Sequence, residues 1–451
     1  MKIRRIISVF LLSILLTGLF LTPQAQAKSV KTPKVKAEAA LLVDTDKDVV
    51  LFDKNAHQKM YPASITKVMT SLLVAEAVDR GDLKWDQKIT ASASAMAGLD
   101  PDGSSAGIEV GETLTVEQLL YCMLLVSANE ACSILAEAVD GSVDAFVKHM
   151  NERAEELGCD DTHFVNPSGL HNPDHYTTAW DIYQIARQFM THDALMVICN
   201  SVSYEVPKTN KSEPRELHTT NSLISNWRIL GYLYDGAQGI KTGTTPEAGH
   251  CLVSSASRNG RQMVCVVLGC GGEGDTIESF SETAKLYDYG FDNFSLQTIL
   301  LEDDMIQEVP VALSREASSV VVHPAEDVSA ILPNHYDESK LKKEIKLDNE
   351  TALAPIQKGD RLGTITLTYD GQERAKVDLL AQFDVSANRF LTVEYQIKQF
   401  FSQTIVQVLV VLLLLGALAL FIWCKFFRSR RRYGARRRSR GGSRSYKGRR
   451  R

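Results

Sequence analysis

Between Ile405 and Cys424 the chain is uncharged and apolar for about 20 residues, enough for a helix to cross a hydrocarbon core of about 30 Å. Behind it, residues 425–451 hold runs such as Arg430-Arg431-Arg432 and Arg436-Arg437-Arg438 and no acid. Cationic flanks stay on the cytoplasmic side, so this pattern predicts a cytoplasmic tail and places everything before Ile405 outside the cell membrane. The other end agrees: Lys2, Arg4 and Arg5 precede the apolar run Ile6 to Leu21 and then Ala25-Gln26-Ala27, the layout of a secretory signal cleaved before Lys28, with an uncleaved anchor as the alternative. The whole fold must therefore be built from what lies between.

That middle part is acidic. Of 50 Lys and Arg, the two ends take about 17, leaving the exported region near −22 against all 55 acids. Arg440-Gly441-Gly442-Ser443-Arg444 in the tail has an RNA-binding look, but on a membrane tether it is better read as a topology signal attracted to anionic headgroups, and no nucleic acid is expected. Seven exported cysteines are an odd number without framework spacing and look like small core residues.

The stretch Tyr61-Pro62-Ala63-Ser64-Ile65-Thr66-Lys67 carries the first chemistry. Pro62 and Ala63 stop an extended approach, Ser64 is placed to cap the following helix, and Val68, Leu72, Leu73 and Ala75 continue it. One turn separates Ser64 from Lys67, so hydroxyl and amine share a helix face, about 5–6 Å apart at Cβ. A serine needs a neighbour to take its proton, and a lysine can do so only when burial or a nearby cation lowers its pKa; Lys241 is the candidate cation. The spacing alone is weak, because Ser339-Lys340-Leu341-Lys342 repeats it in a charged run with no site around it.

Strands are expected at Ala39 to Asp44 and Val49 to Asp53, and helices at Thr113 to Val126, Glu130 to Val139 and Ser142 to Leu157. Ser127-Ala128-Asn129 is pinned between two apolar helices, a rigid place for a catalytic side chain. Residues 162–170 must be irregular. His171 and His175 stand four apart, but Pro173 between them prevents a shared helix face, so no metal is expected. Ile240 to Thr245, His250 to Ser257 and Gln262 to Leu268 read as strands, the last two joined by an Asn259-Gly260 hairpin turn, and Ser281 to Tyr289 as a closing helix. The fold class is α+β, an antiparallel sheet with packed helices. The layout is then a signal peptide at 1–27, a catalytic domain at 37–295, a small β-rich domain at 296–390, a membrane-proximal amphipathic segment at 391–404, a transmembrane helix at 405–424 and an Arg-rich tail at 425–451.

Lys241-Thr242-Gly243-Thr244 lies on one of those strands. A phosphate loop would need Gly before the Lys and a helix after it, and neither is present. Instead Lys241 and Gly243 share one face, Thr242 and Thr244 the other, and Gly243 lets another backbone come close. A cation, a bare strand edge and hydroxyls suit an extended peptide ending in a carboxylate.

Ser64-x-x-Lys67, Ser127-x-Asn129 and Lys241-Thr242-Gly243, in this order, together with Asn166-Pro167-Ser168-Gly169-Leu170, Ala248-Gly249, Tyr289-Gly290-Phe291 and Ala354-Pro355-Ile356-Gln357-Lys358-Gly359-Asp360, give a broad likeness. The chain resembles the D-alanyl-D-alanine carboxypeptidases, the low-molecular-mass penicillin-binding proteins of bacterial walls. The resemblance implies a transpeptidase-like fold with a C-terminal β-module and a serine-type carboxypeptidase acting on peptidoglycan stem peptides, open to β-lactam inhibitors and without cofactor. It further implies Ser64 as nucleophile, Lys67 as base, Ser127 as proton relay to the departing D-alanine, Asn129 on the substrate amide, Ser64 and Thr244 N–H groups as oxyanion hole, and Lys241, Thr242, Gly243 and Thr244 around the terminal carboxylate. One departure stands out. Many relatives carry an arginine between the last hairpin and the closing helix; residues 271–279 here have no cation, and Arg228 is a candidate to replace it. A β-lactamase would need a glutamate-bearing loop and no β-domain on a stalk, while a non-catalytic wall-binding scaffold would have no need to keep Ser64 and Lys67 together.

Overall fold

The computed structural model describes residues 30–435 apart from 101 and 275; the expected leader and residues 436–451 of the basic tail lie outside them. Described residues up to Gln297, together with Ser329–Lys342 and Tyr369–Arg374, form one compact unit. In chain order its main elements are β1 (Ala39–Asp44), β2 (Val49–Lys54), α1 (Lys67–Asp79), α2 (Val116–Leu125), α3 (Asn129–Asp140), α4 (Val143–Glu156), α5 (Ala179–Phe189), α6 (Asp193–Cys199), β3 (Ala237–Thr245), β4 (Gly249–Arg258), β5 (Arg261–Cys270) and α7 (Glu278–Asn293). The strands make one antiparallel sheet in the order β2-β1-β5-β4-β3. The β4–β5 turn has Asn259 and Gly260 at φ 54° and 77°, the positive-φ pair the sequence asked for.

Side-chain alternation sends the sheet into two cores. Leu41, Val43, Val264 and Val266 pack with Leu72, Leu120 and Ile185 of the helices on one face; Leu42, Met263, Cys265 and Val267 pack with Phe280, Leu286 and Tyr287 of α7 on the other. A sheet covered on both faces explains why β5 reads as an almost unbroken apolar run. Helix α1 is buried nearly all round, so it is a core helix, and its first residue, Lys67, is carried into the interior with it.

One expectation is corrected here. Ser64 caps nothing: it lies inside a single 3-10 turn, Ala63–Thr66, begun by Pro62 without a side-chain cap. Thr66 precedes α1, and its hydroxyl turns back to the Ala63 carbonyl at 2.9 Å. The tightness comes from Ala63, whose φ of 48° is in the left-handed region. The Ser64 hydroxyl is thus left free of capping.

Thr298–Val328, Lys343–Thr368 and the chain from Ala375 form the second unit. A six-stranded sheet runs in the order Leu341–Leu347, Arg361–Tyr369, Gln372–Ala381, Ser319–Pro324, Gln307–Ala312, Ala352–Leu353 around a core that includes Val309, Val322, Ile365, Leu367 and Leu379. Two helices follow, α8 (Arg389–Ser402), with Phe390, Val393, Ile397 and Phe400 exposed in helical spacing, and α9 (Thr404–Ala435), whose part Thr404–Phe426 is long and apolar enough to cross a membrane. Cys122, Cys132, Cys159, Cys199, Cys251, Cys265 and Cys270 are all buried and unpaired.

Candidate active site

Three segments far apart in sequence meet at the outer strand of the first unit's sheet. Lys67 Nζ lies 2.9 Å from Ser64 Oγ, 2.9 Å from Asn129 Oδ1 and 2.6 Å from the Ser168 carbonyl, and Lys67 is wholly buried. Asn129 and Ser168 present acceptor oxygens and take two N–H bonds. An ammonium uses its third N–H on Ser64; a neutral amine, with both protons already placed, points its lone pair at the Ser64 hydroxyl. The surroundings therefore fix the direction in which a proton can pass from Ser64.

Burial holds Lys67 below the ordinary lysine range, with Cys132 and Glu130 pulling the other way. Lys241, also buried, is pushed well below its ordinary value, first by burial and then by repulsion from Lys67. Desolvation leads for both amines, and the repulsion between them disfavours charging both together. Lys241 Nζ donates to the Thr242 carbonyl at 2.8 Å, behind the cleft wall and away from the open space in front of Thr242.

That open space is a cavity of about 390 Å³, bordered by Ser64, Ser127, Thr242, Gly243, Thr244 and Arg228. Gly243 is required there. A Cβ on it would come to 2.9 Å from the Pro62 carbonyl, 3.0 Å from Ser64 N and 3.1 Å from Ile65 N, so only a bare backbone allows β3 to run this close to the Ser64 turn. Thr242 shares a hydrogen bond with Thr220 at 2.6 Å and Thr244 with His250 Nδ1 at 3.0 Å. Ser127 is held at φ 65° with its hydroxyl buried and without a hydrogen-bond partner. Such strain costs of order 1–3 kcal/mol, and a buried unpaired hydroxyl costs more.

All eight residues singled out from the sequence fall in or directly behind this cleft. Asn129, expected on a substrate amide, gives its Oδ1 to Lys67, leaving Nδ2 for other partners. The Ser168 carbonyl was missed. Its segment reads as irregular and as one of the motifs of the family likeness, but a backbone acceptor 101 residues from its donor leaves no trace in composition or spacing. Arg228 stands at the cavity wall and adds to the lowering of Lys241, a cation on a different loop from the cationless 271–279.

Fold and cleft together define a serine-type hydrolase on an α+β penicillin-binding scaffold. The D-alanyl-D-alanine carboxypeptidase family profile matches residues 26–272, and the C-terminal domain of penicillin-binding protein 5 matches residues 294–387. The D-alanyl-D-alanine carboxypeptidase DacF of Bacillus subtilis is 32% identical over 393 residues, covering 86% of this chain and 96% of its own length. Among solved structures, the D-alanyl-D-alanine carboxypeptidase DacD of Francisella tularensis superposes with a TM-score of 0.65 at 26% identity, covering 82% of this chain and 98% of that one. Penicillin-binding protein 5 of Haemophilus influenzae gives 0.61 at 27%, covering 79% and 100%. The chain belongs to the D-alanyl-D-alanine carboxypeptidase family.

Proposed function

We infer that this chain is a serine-type carboxypeptidase that removes the terminal D-alanine from peptidoglycan stem peptides through an acyl-enzyme on Ser64. The observation that carries this reading is Lys67 Nζ, 2.9 Å from Ser64 Oγ with acceptors at its other two contacts. Ser64 Oγ attacks the carbonyl between the two D-alanines as its proton passes to Lys67. The developing oxyanion is received by the N–H groups of Ser64 and Thr244, each worth roughly 3–4 kcal/mol. When the C–N bond breaks, Ser127 hands its hydroxyl proton to the departing amine and is resupplied from Lys67. Water then attacks the ester as Lys67 takes its proton, and Lys67 returns that proton to Ser64 Oγ as the acyl C–O bond breaks, which restores Ser64. Asn129 Nδ2 holds the substrate amide. Thr242 and Thr244 hydroxyls and the Arg228 guanidinium take the terminal carboxylate; buried Lys241 shapes the field behind them.

β-Lactams occupy the same cleft as mimics of the acyl-D-alanyl-D-alanine end. The domain order is a leader, the catalytic unit, the β-rich module and α8 outside the cell, with α9 as a single membrane anchor and the Arg-rich tail in the cytoplasm. Incubating the detergent-solubilised chain with labelled penicillin tests the nucleophile: the parent should be labelled and Ser64→Ala should not. An unlabelled parent, or a labelled Ser64→Ala, overturns the reading. D-Alanine release from a pentapeptide, set against penicillin turnover, separates the carboxypeptidase from a β-lactamase.

A further inference from the structure

His175 is almost fully buried, packed edge-on against Phe164, and takes no part in the chemistry above. Both ring nitrogens are nonetheless engaged. The Val165 N–H donates to Nδ1 at 3.1 Å, and Nε2 lies 2.8 Å from Thr66 Oγ1. A backbone N–H can only donate, so Nδ1 is the acceptor and the ring proton sits on Nε2. Thr66 has one hydroxyl proton and spends it on the Ala63 carbonyl at 2.9 Å, so toward the ring it can only accept. The sequence Nε2–H to Thr66, Thr66 O–H to Ala63 carbonyl therefore runs in one direction.

Its end point is the residue before the nucleophile. Ala63 adopts φ 48°, which side chains with a Cβ avoid, so this turn must be held from outside. Gly169 presses on the same carbonyl: a Cβ there would lie 1.8 Å from Ala63 O. The loop that contributes Gly169 also offers the Ser168 carbonyl to Lys67 and the Val165 N–H to His175. One imidazole thus ties the turn that carries the nucleophile to the loop that holds the base.

We propose that His175 is a positioning residue: through Thr66 it fixes the Ala63 carbonyl and so sets Ser64 Oγ at hydrogen-bond distance from Lys67. The proposal rests on Ser64 being the nucleophile. Burial, aided by His163, His171 and Lys67, pushes the imidazole down to about 3, so it stays neutral with a single proton at any working pH, as a fixed two-sided strut requires.

The test is the rate of acylation of the full chain in detergent by labelled penicillin, with melting temperature followed alongside. His175→Asn keeps an acceptor for Val165 but cannot reach Thr66; His175→Gln can reach Thr66 with an amide N–H; Thr66→Val removes the hydroxyl and preserves the shape. His175→Asn and Thr66→Val are each expected to slow acylation roughly tenfold or more with the non-covalent affinity near that of the parent, His175→Gln to regain most of the rate, and the double variant to be no slower than the slower single. Acylation of His175→Asn or Thr66→Val at the parent rate overturns the proposal. So do equal rates for the Asn and Gln variants that merely follow their melting temperatures. Should His175→Asn not fold, Thr66→Val decides alone. A parent that takes no label fails the nucleophile assignment instead, a result that cannot be confused with these.

Discussion

Replacing Gly243 by Ala adds one methyl where three backbone atoms already crowd. The new Cβ would stand 2.9, 3.0 and 3.1 Å from Pro62 O, Ser64 N and Ile65 N, whereas an ordinary contact begins at 3.4 Å. The strand and the nucleophile turn must separate by about 0.3–0.5 Å to relieve it. No φ penalty is added, since Gly243 is not in the left-handed region, and β3 is the outermost strand, free to move without breaking a ladder on its far side. The stability loss should therefore sit near the low end of overpacking, about 1 kcal/mol. The catalytic loss should be larger. The N–H donors of Ser64 and Thr244 work only within about 2.7–3.1 Å of the oxyanion, and a shift of this size forfeits a large share of roughly 3–4 kcal/mol per donor. Penicillin acylation and D-alanine release should both fall about ten- to hundredfold, roughly 1.4–2.7 kcal/mol in barrier, while the melting temperature drops by only a few degrees. Stopped-flow acylation with calorimetry on the same samples measures both. A variant that acylates at the parent rate, or one whose rate loss follows unfolding, would refute the argument that this glycine sets the distance between strand and nucleophile.

Lys67 sits below its ordinary 10.5, so the unfolded chain binds that proton more tightly than the folded one. Acylation should rise with pH to a plateau whose midpoint lies below 10.5, and Lys67→Arg, permanently charged, should lose the rise and about 10²–10⁴ in rate across a pH series. For Lys241, lowered further, the folded chain forgoes stability as pH falls from 10.5 toward the folded value. Lys241→Met, of similar volume, should melt higher than the parent, with the advantage growing as pH falls from 10.5 toward the folded value of Lys241, while acylation declines. Arg228→Gln should raise KM for a carboxylate-ended pentapeptide by about tenfold with kcat near the parent value, and leave binding of the amide-capped peptide unchanged. Equal losses on both peptides would remove Arg228 from carboxylate binding.

The sequence reached the cleft through local rules and faltered where distant backbone decides. One helical turn between Ser64 and Lys67, the break at Ser127 and the bare face at Gly243 are legible because each depends on spacing or on a missing side chain, and all three recur in the structure. Ser64 as a cap failed because a proline, a left-handed alanine and the Thr66 hydroxyl build a tighter turn than residue preference suggests. That burial leads the lowering of Lys67 was not legible, because burial is a tertiary quantity: an apolar stripe marks α1 as a helix without showing that it is enclosed on every side. His175 drew notice for its partner four residues away, yet its bonds go to Val165 and Thr66, and only the fold brings those two together.

The seven buried thiols have a consequence for handling the protein. Burial pushes each one up, to about 11 for Cys132 and about 12 for Cys122, so none is a competent nucleophile while the core is closed. Heating removes that shelter from all of them together, and in air the loosened chains can cross-link faster than they find their way back. Melting curves should then depend on scan rate and fail to retrace on cooling, and a reductant should restore reversibility.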